Sequence, residues 1–459
     1  MNKGDNNNKF ISYRKQFKKF VYESFNINIT ATNIEISYNF NLDNKYFFRP
    51  LISIPLKPFI REDKLLDEKM ANIAFNIGMV ELVSYWKAAC PKEIIIKPFF
   101  LDEEQIKWWK NLYFKGLGEF FYLNSIQTSL DDFVEIISLS EDTPMKLSFD
   151  AEDSVIIPVG GGKDSIVTIE LLSEYGKDNL LLILNPRNAC TQTASIAGYD
   201  DSKIIIVKRL IDPVLLKMND EGFLNGHTPF SSLLAFVSLL CAFITGKKHI
   251  TLSNESSANE ATVENTSVNH QYSKSYEFER DFRNYYMKYI TNDLNYFSFL
   301  RPINELQIAK FFSKYNQYFT TFRSCNSGSK TDSWCGNCPK CLFTYIILSP
   351  FIKKGMLKKI FGKDIFNDEN LLEIFNQLIG IADTKPFECV GTIDEVNSAL
   401  CLHIKNEKDR LPYLLEYYIN TENYHKYRDI DISLLLKEYN KEHFLENLFE
   451  KILKKNLND

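Results

Sequence analysis

Long apolar runs, histidine and surplus positive charge are all scarce in this chain of 459 residues. The longest apolar stretch, Phe230 to Ile244, is broken by Ser231, Ser232 and Ser238 and is short for a bilayer, so a buried helix is expected there and no membrane partner. The opening residues Met1 to Asn8 are polar and lack the apolar core of a signal peptide, which makes the cytoplasm the expected location. A formal net charge of −5 gives no general attraction to a phosphate backbone, and the absence of a basic run argues against a nucleic-acid partner. Repeats and low-complexity tracts are missing too, so the chain reads as an ordinary globular protein long enough for two or three cores. Its nine cysteines should then be reduced thiols, metal ligands or core residues rather than disulfides. The sequence sets no oligomeric state.

What is present is led by Ser154 to Leu172. An apolar run, Val155 to Val159, meets Gly160, Gly161 and Gly162, then Lys163, Asp164 and Ser165, then Ile166, Ile169 and Leu172 at helical spacing. Strand, loop and helix follow from that order. Adjacent glycines let backbone N–H groups turn toward one anion, and the helix aims its positive end at the same place. The spacing fits neither the Walker A loop nor the dinucleotide Gly-x-Gly-x-x-Gly pattern. It resembles the Ser-Gly-Gly-x-Asp-Ser loop of the ATP pyrophosphatases, the PP-loop family, with Gly160 in place of the leading serine. The resemblance implies cleavage of ATP between its α and β phosphates, with AMP passed to an oxygen acid to give an acyl-adenylate. Asp164 suits Mg²⁺, a hard cation that bridges phosphates through oxygen ligands. Ser165 and the glycine amides would hold pyrophosphate, Lys163 would neutralise it, and Asn185 ends the strand that borders adenosine in that family.

Residues 1–150 predict an N-terminal α+β domain. Ile27 to Ser37 and Lys45 to Ile54 read as strands, Ala71 to Ala89 and Leu101 to Phe121 as helices, and the aromatic stripe Trp108, Trp109, Tyr113 and Phe114 as core. The polar segment Ser138 to Glu152, with Pro144, marks a boundary. From 151 to 345, strands at Val155–Val159, Leu180–Asn185, Lys203–Val207, His249–Asn254 and Phe297–Pro302 alternate with helices at Ser165–Tyr175, Phe230–Thr245 and Glu305–Tyr315. Asn304 and Gln307 form a capping-box pair before the last of these. The alternation predicts an α/β fold with a parallel sheet and helices on both faces, whose ligands sit beyond the carboxyl ends of the strands. Residues 346–459 read as a helical C-terminal region, with segments at Leu342–Leu348, Asn370–Leu378, Ile393–His403 and Tyr413–Leu453.

Further constellations carry chemistry. Ser253 to Glu260 offers Glu255 and Glu260 as additional Mg²⁺ contacts and Asn254 as a substrate contact at a strand end. Val268 to Ser275 offers His270 and Lys274 as acid or base, against the alternative of a solvated loop. Cys325, Cys335, Cys338 and Cys341 give four thiolates that one loop can fold around an ion; a closed set of four suits structural Zn²⁺, and an iron–sulfur cluster uses the same ligands. That spacing is similar to the zinc site of 7-cyano-7-deazaguanine synthases. Glu388 and Cys389, beside Gly391, are either a site edge or a packed turn. Arg301 is either a clamp for a substrate carboxylate or phosphate, or half of a structural salt bridge.

Most of the chain resembles one family, the ATP-dependent UDP-N-acetyl-α-D-muramoyl-L-alanyl-L-glutamate epimerases of peptidoglycan precursor synthesis. The matching blocks are Val159 to Ser165, Ser253 to Glu255, Ala258 to Glu260, Val268 to Lys274, Leu300 to Pro302, Cys335 to Phe343 and Lys385 to Gly391. They extend to Ser84 to Ala89 and Gly116 to Tyr122. The resemblance implies ATP, Mg²⁺ and a small nucleotide-sugar peptide substrate. His270, Lys274, Glu388 and Cys389 are the candidates for moving the α-proton. Two rivals share the glycine loop: an ammonia-using enzyme of the deazaguanine type, and a tRNA-modifying enzyme.

Overall fold

A computed structural model describes residues 6–65, 67–176, 178–260, 262 and 268–458; Met1 to Asp5 of the polar opening lie outside them. Among the described residues eleven strands join in one sheet. They are β1 (Lys19–Ile29), β2 (Asn33–Leu42), β3 (Tyr46–Phe48), β4 (Leu51–Pro55), β5 (Glu93–Ile96), β6 (Glu135–Ser138), β7 (Glu152–Pro158), β8 (Leu180–Leu184), β9 (Ile204–Leu210), β10 (Lys247–Leu252) and β11 (Asn295–Ser298). The order is β11-β10-β7-β8-β9-β4-β2-β1-β5-β6, with β3 beside β2.

The two halves of the sheet obey different rules. From β11 to β9 neighbouring strands are parallel, and β8 is a continuous apolar run, as strands covered on both faces must be. Beyond β9 the pairs β9–β4, β4–β2 and β2–β1 are antiparallel. There β2 alternates, with Ile34, Ile36, Tyr38 and Phe40 buried and Glu35, Ser37 and Asn39 turned outward. The small N-terminal sheet expected from the sequence is thus continuous with the parallel sheet, because β4 hydrogen-bonds β9 from Leu51↔Leu210 to Ser53↔Lys208.

The period of two also separates two cores. Ile156, Leu180, Leu182, Ile205 and Ile250 face one side, against helices Asp67–Trp86 and Phe230–Thr245. Val155, Ile157, Leu181, Ile183 and Phe297 face the other, against helices Lys163–Leu171, Glu305–Phe312 and Pro339–Leu348. The C-terminal helix Asn447–Asn458 closes the second side, its Phe449 ring 4.7 Å from that of Phe297 and 4.8 Å from that of Tyr175.

Helix Phe230–Thr245 matches its expected limits, and the capping box of Asn304 and Gln307 is formed, starting helix Glu305–Phe312. Several expectations change; Lys45 to Ile54, for one, is two strands, β3 and β4, parted at Arg49 and Pro50. The run Ile27 to Ser37 straddles a hairpin: β1 stops at Ile29, the Thr30 hydroxyl accepts from the N–H of Asn33, and β2 begins there. Leu101 to Phe121 is two helices, Glu103–Gly116 and Gly118–Leu123, broken at Leu117. The strand expected over Phe297 to Pro302 ends at Ser298, leaving Arg301 in the turn before the next helix.

A candidate active site in two adjoining halves

Beyond the carboxyl ends of β7, β8 and β10 lies an open cleft of about 390 Å³. Gly160, Gly162, Asp164 and Ser165 form one wall. Asn185, Asn254 and Glu255 reach it from the other strand ends and Lys274 from the 3-10 turn Tyr272–Lys274, joined by Arg187, Phe230, Arg323 and Lys340. Of the three glycines only Gly161 is required by geometry. Its φ is +75°, and a Cβ there would stand 3.0 Å from Ala189 and from the backbone nitrogen of Cys190; Gly160 and Gly162 face space that a methyl would enter freely. The Gly161 carbonyl accepts from the N–H of Arg323 at 2.8 Å, tying the loop to the segment that carries the cysteines. The Ser165 hydroxyl donates to the Gly162 carbonyl at 3.0 Å. Asn185 ends β8 with φ +52°, its amide oxygen accepting from the Arg209 N–H. Asn254 donates to Ser298 Oγ at 3.0 Å.

Three carboxylates converge here, two of them, Asp164 and Glu255, on the lining of the cleft. Oxygens of Asp164, Glu255 and Glu305 lie within 4.8 Å of one another. Lys163 is turned inward, bonded to Asp164 and to Glu305, and its side chain is only 7% exposed. Burial first, then the neighbouring carboxylates, raises the pKa of Glu305 and of Glu255, although Lys163 pulls the other way. Three acids against one ammonium, with oxygen donors only, is a donor set that fits a hard divalent cation. Glu260 stands apart, paired with Lys385, which also donates to the Gly391 carbonyl. Arg301 lies behind the wall, fully buried. It donates to the backbone carbonyls of Glu255 at 2.6 Å and Lys274 at 2.5 Å and pairs with Glu279 at 3.0 Å. This is the salt-bridge arrangement, and it fixes two residues of the cleft.

The other half is built on Cys389. Lys274, already at the cleft, donates to Cys389 Sγ at 3.1 Å, and the His270 imidazole acts electrostatically on the same sulfur. Burial would raise this thiol, but Lys274, Lys340 and His270 outweigh it and hold Cys389 well below the usual thiol range. His270 gains reciprocally: burial would lower it, yet the neighbouring Cys389 and Glu119 push it up to about 9. Proximity therefore favours the thiolate–imidazolium form of the pair. His270 Nδ1 hydrogen-bonds Glu119 Oε2, and the same oxygen lies 3.5 Å from His227 Nδ1. Burial and the charge of His270 push His227 down to about 4. Glu388, raised by burial, accepts from Asn326 Nδ2 at 2.7 Å.

The four cysteines meet as the spacing requires. Their sulfurs lie within 4.8 Å of one another, with Cys325 to Cys338 at 3.6 Å, Cys335 to Cys341 at 3.7 Å and Cys338 to Cys341 at 3.5 Å. Those separations are far beyond a disulfide bond and close to the ~3.8 Å edge of a tetrahedron with ~2.3 Å metal–sulfur bonds. Backbone N–H groups of Gly328 and Gly336 point at Cys325 and Cys341, as they do toward thiolates.

Residues 11–299 match the MurL N-terminal domain and residues 321–426 the MurL C-terminal domain. The chain belongs to the MurL family. Three relatives bear the name UDP-N-acetyl-alpha-D-muramoyl-L-alanyl-L-glutamate epimerase. The one from Xanthomonas oryzae pv. oryzae is 33% identical, the match covering 71% of this chain and 73% of the relative. Those from a Micromonospora species and from Salinispora tropica are each 30% identical, covering 86% and 84% of this chain and 88% and 85% of the relatives. The glycine loop, Asp164, Glu255, His270 and Lys274 lie within the MurL N-terminal match, the four cysteines and Cys389 within the C-terminal one. Both segments therefore furnish the site. Glu305 falls between them.

Sequence reasoning passed over five residues of this site: Glu305, Glu119, His227, Arg323 and Lys340. Glu305 is legible afterwards as the first residue of a capped helix that follows a strand end. Lys340 sits between two metal-type cysteines, where attention goes to the thiols. Glu119 lies in an aromatic block and His227 in a loop without other chemistry.

Proposed function

We propose that this chain inverts the α-carbon of the terminal L-glutamate of UDP-N-acetylmuramoyl-L-alanyl-L-glutamate, consuming ATP and releasing AMP and pyrophosphate. Family membership and the named relatives support the substrate. The observation that carries the chemistry is Lys274, which lines the cleft and also bonds Cys389, so activation and proton transfer share one boundary.

The cleft is read as the ATP site of a PP-loop fold. Asp164, Glu255 and Glu305 would hold Mg²⁺, which neutralises phosphate oxygens when bound. The four cysteines would hold Zn²⁺ as a closed structural site. A carboxylate oxygen of the substrate attacks the α-phosphorus and the bond to pyrophosphate breaks. The reason for this step is electrostatic: an α-carbanion beside an ionised carboxylate would place two negative charges together, and adenylation removes one. The Cys389 thiolate then takes the α-proton as the electron pair spreads into the acyl carbonyl. Lys274 and Glu388 are the groups at hand to return a proton to the other face. Water attacks the acyl carbon and AMP leaves.

Purified protein, Mg²⁺–ATP and the L-glutamate substrate in D₂O test this. D-glutamate with α-deuterium, appearing with AMP, is the expected result. AMP without inversion would overturn epimerisation and direct the next assay to ammonia as acceptor. Asp164→Ala should reduce AMP release by about a hundredfold or more; undiminished release would overturn the assignment of the cleft.

A further inference from the structure

We propose that the Lys340 ammonium binds the γ-carboxylate of the substrate's terminal glutamate and thereby selects glutamate over residues with a neutral side chain. This role rests on the reading of the cleft and Cys389 as the place where that glutamate is adenylated and inverted. Adenylation neutralises the α-carboxylate, but the γ-carboxylate stays ionised, two methylene groups from the carbon that is inverted. The substrate must therefore bring a negative charge close to the Cys389 sulfur and to the cleft carboxylates of Asp164 and Glu255. Those groups repel it unless a cation meets it.

Four cationic side chains line the cleft: Arg187, Lys274, Arg323 and Lys340. Two are already engaged. Lys274 donates to Cys389 Sγ, and the Arg323 guanidinium donates to the backbone carbonyls of Thr320 at 3.0 Å, Phe322 at 2.7 Å and Asp332 at 3.2 Å. The side chains of Arg187 and Lys340 make no hydrogen bond or ion pair among the described residues. Arg187 belongs to the phosphate side: it precedes helix Asn188–Ile196, whose Ala189 crowds the Gly161 turn.

Lys340 belongs to the Cys389 side. It is the second residue of helix Pro339–Leu348, and Phe343, three residues on and so on the same face, packs against the segment that carries Cys389: a Cβ on Gly391 would stand 3.0 Å from the Phe343 ring. Asn326, also on the cleft lining, donates to Glu388 at 2.7 Å, so that carboxyl has a neutral partner of its own. Against the burial that raises both groups, the charge of Lys340 draws Glu388 and Cys389 toward their ionised forms. Lys340 itself is half-buried, where a charge-assisted bond is stronger than in open water. Held by Lys340 at its γ-carboxylate and by the cleft at its acyl end, the glutamate is fixed on both sides of the α-carbon while a proton leaves one face and returns to the other.

The test compares UDP-N-acetylmuramoyl-L-alanyl-L-glutamate with its L-glutamine analogue, in which a neutral γ-amide of the same shape replaces the carboxylate, in wild-type, Lys340→Met and Arg187→Met protein. Wild-type kcat/KM for inversion should favour the glutamate substrate by about a hundredfold, and Lys340→Met should bring the ratio of the two to within a few fold of one. Lys340 also supports the Cys389 thiolate, but that effect slows both substrates alike and leaves the ratio unmoved. Arg187→Met should keep the wild-type ratio. A wild type that inverts both substrates equally well overturns the proposal without any variant. A preserved ratio in Lys340→Met, or a ratio that collapses in Arg187→Met instead, overturns it as well. Calorimetric titration without ATP supplies a second readout: Lys340→Met should weaken binding of the glutamate substrate about tenfold or more and leave that of the glutamine analogue unchanged. Equal losses for the two would assign Lys340 to another part of the substrate or to the fold. A wild type that releases AMP but inverts neither substrate overturns the proposed function, on which this assignment depends.

Discussion

Cys389 owes its charge to its neighbours. A thiol in this setting would ordinarily stay protonated, yet Lys274, Lys340 and His270 all favour the thiolate. The sign of the pH dependence follows. His270 has a folded pKa of about 9 against about 6.5 when unfolded, so its stabilisation is complete below about pH 6.5 and is lost as pH rises through about 9. Cys389 is depressed, so its stabilisation is complete above the unfolded thiol value of about 8.5 and is lost as pH falls toward its lower folded value. Where the folded pair is charged and the unfolded pair neutral, the two slopes cancel, because folding then moves a proton from sulfur to imidazole without net uptake. The expected kinetic result is a kcat/KM for inversion that declines above about pH 9, where His270 loses its proton. In Cys389→Ser that limb should move to lower pH, since Cys389 is the neighbour that raises His270 most. A limb that stays in place would remove Cys389 from the pair. At this scale the sequence exposed Cys389, His270 and Lys274 because each is a reactive type in a polar segment. Glu119 stayed hidden, because a carboxylate followed by Phe120, Phe121 and Tyr122 reads as the edge of a core.

The glycine loop shows what an element needs as distinct from what a motif contains. Gly161 alone has positive φ and a crowded Cβ direction, against Ala189 and Cys190, whereas Gly160 and Gly162 have room. Gly161→Ala should therefore cost about 1–2 kcal/mol from the left-handed backbone alone, with the contact added. Gly160→Ala should leave thermal unfolding within experimental scatter of the wild type. Equal melting temperatures for all three proteins would mean that the loop relaxes at no cost. Longer elements were legible for ordinary reasons: helix Phe230–Thr245 is one apolar run ended by Gly246 at φ +71°, and helix Glu305–Phe312 carries its capping box in plain view. Strands β5 and β6 were not, since four residues such as Glu93–Ile96 give too little alternation to register.

The whole molecule works through joins that a one-dimensional reading underweights. Pairing of β4 with β9 extends the parallel sheet into the N-terminal half, and no local pattern announces which edge a strand will find. A second join runs from the cysteines to the cleft. Cys338 caps helix Pro339–Leu348, whose second residue, Lys340, lines the cleft; Cys325 follows Arg323 and Ser324, and the Arg323 N–H holds the Gly161 carbonyl. An ion bound by the four thiolates would fasten both connections at once, so its loss should reach the nucleotide half across a considerable stretch of chain. Cys338→Ser is expected to lose the bound metal, measured by mass spectrometry of the purified protein, to melt at a lower temperature, and to release AMP more slowly. Each result constrains a different link. Full metal content in Cys338→Ser would reject the four-thiolate site. Loss of metal with unchanged melting would mean that the surrounding core of Trp334, Phe322 and Phe361 already holds the segment. Loss of metal and stability with unchanged AMP release would sever the cysteine loop from Gly161, leaving its part in the site one of support for Lys340 alone.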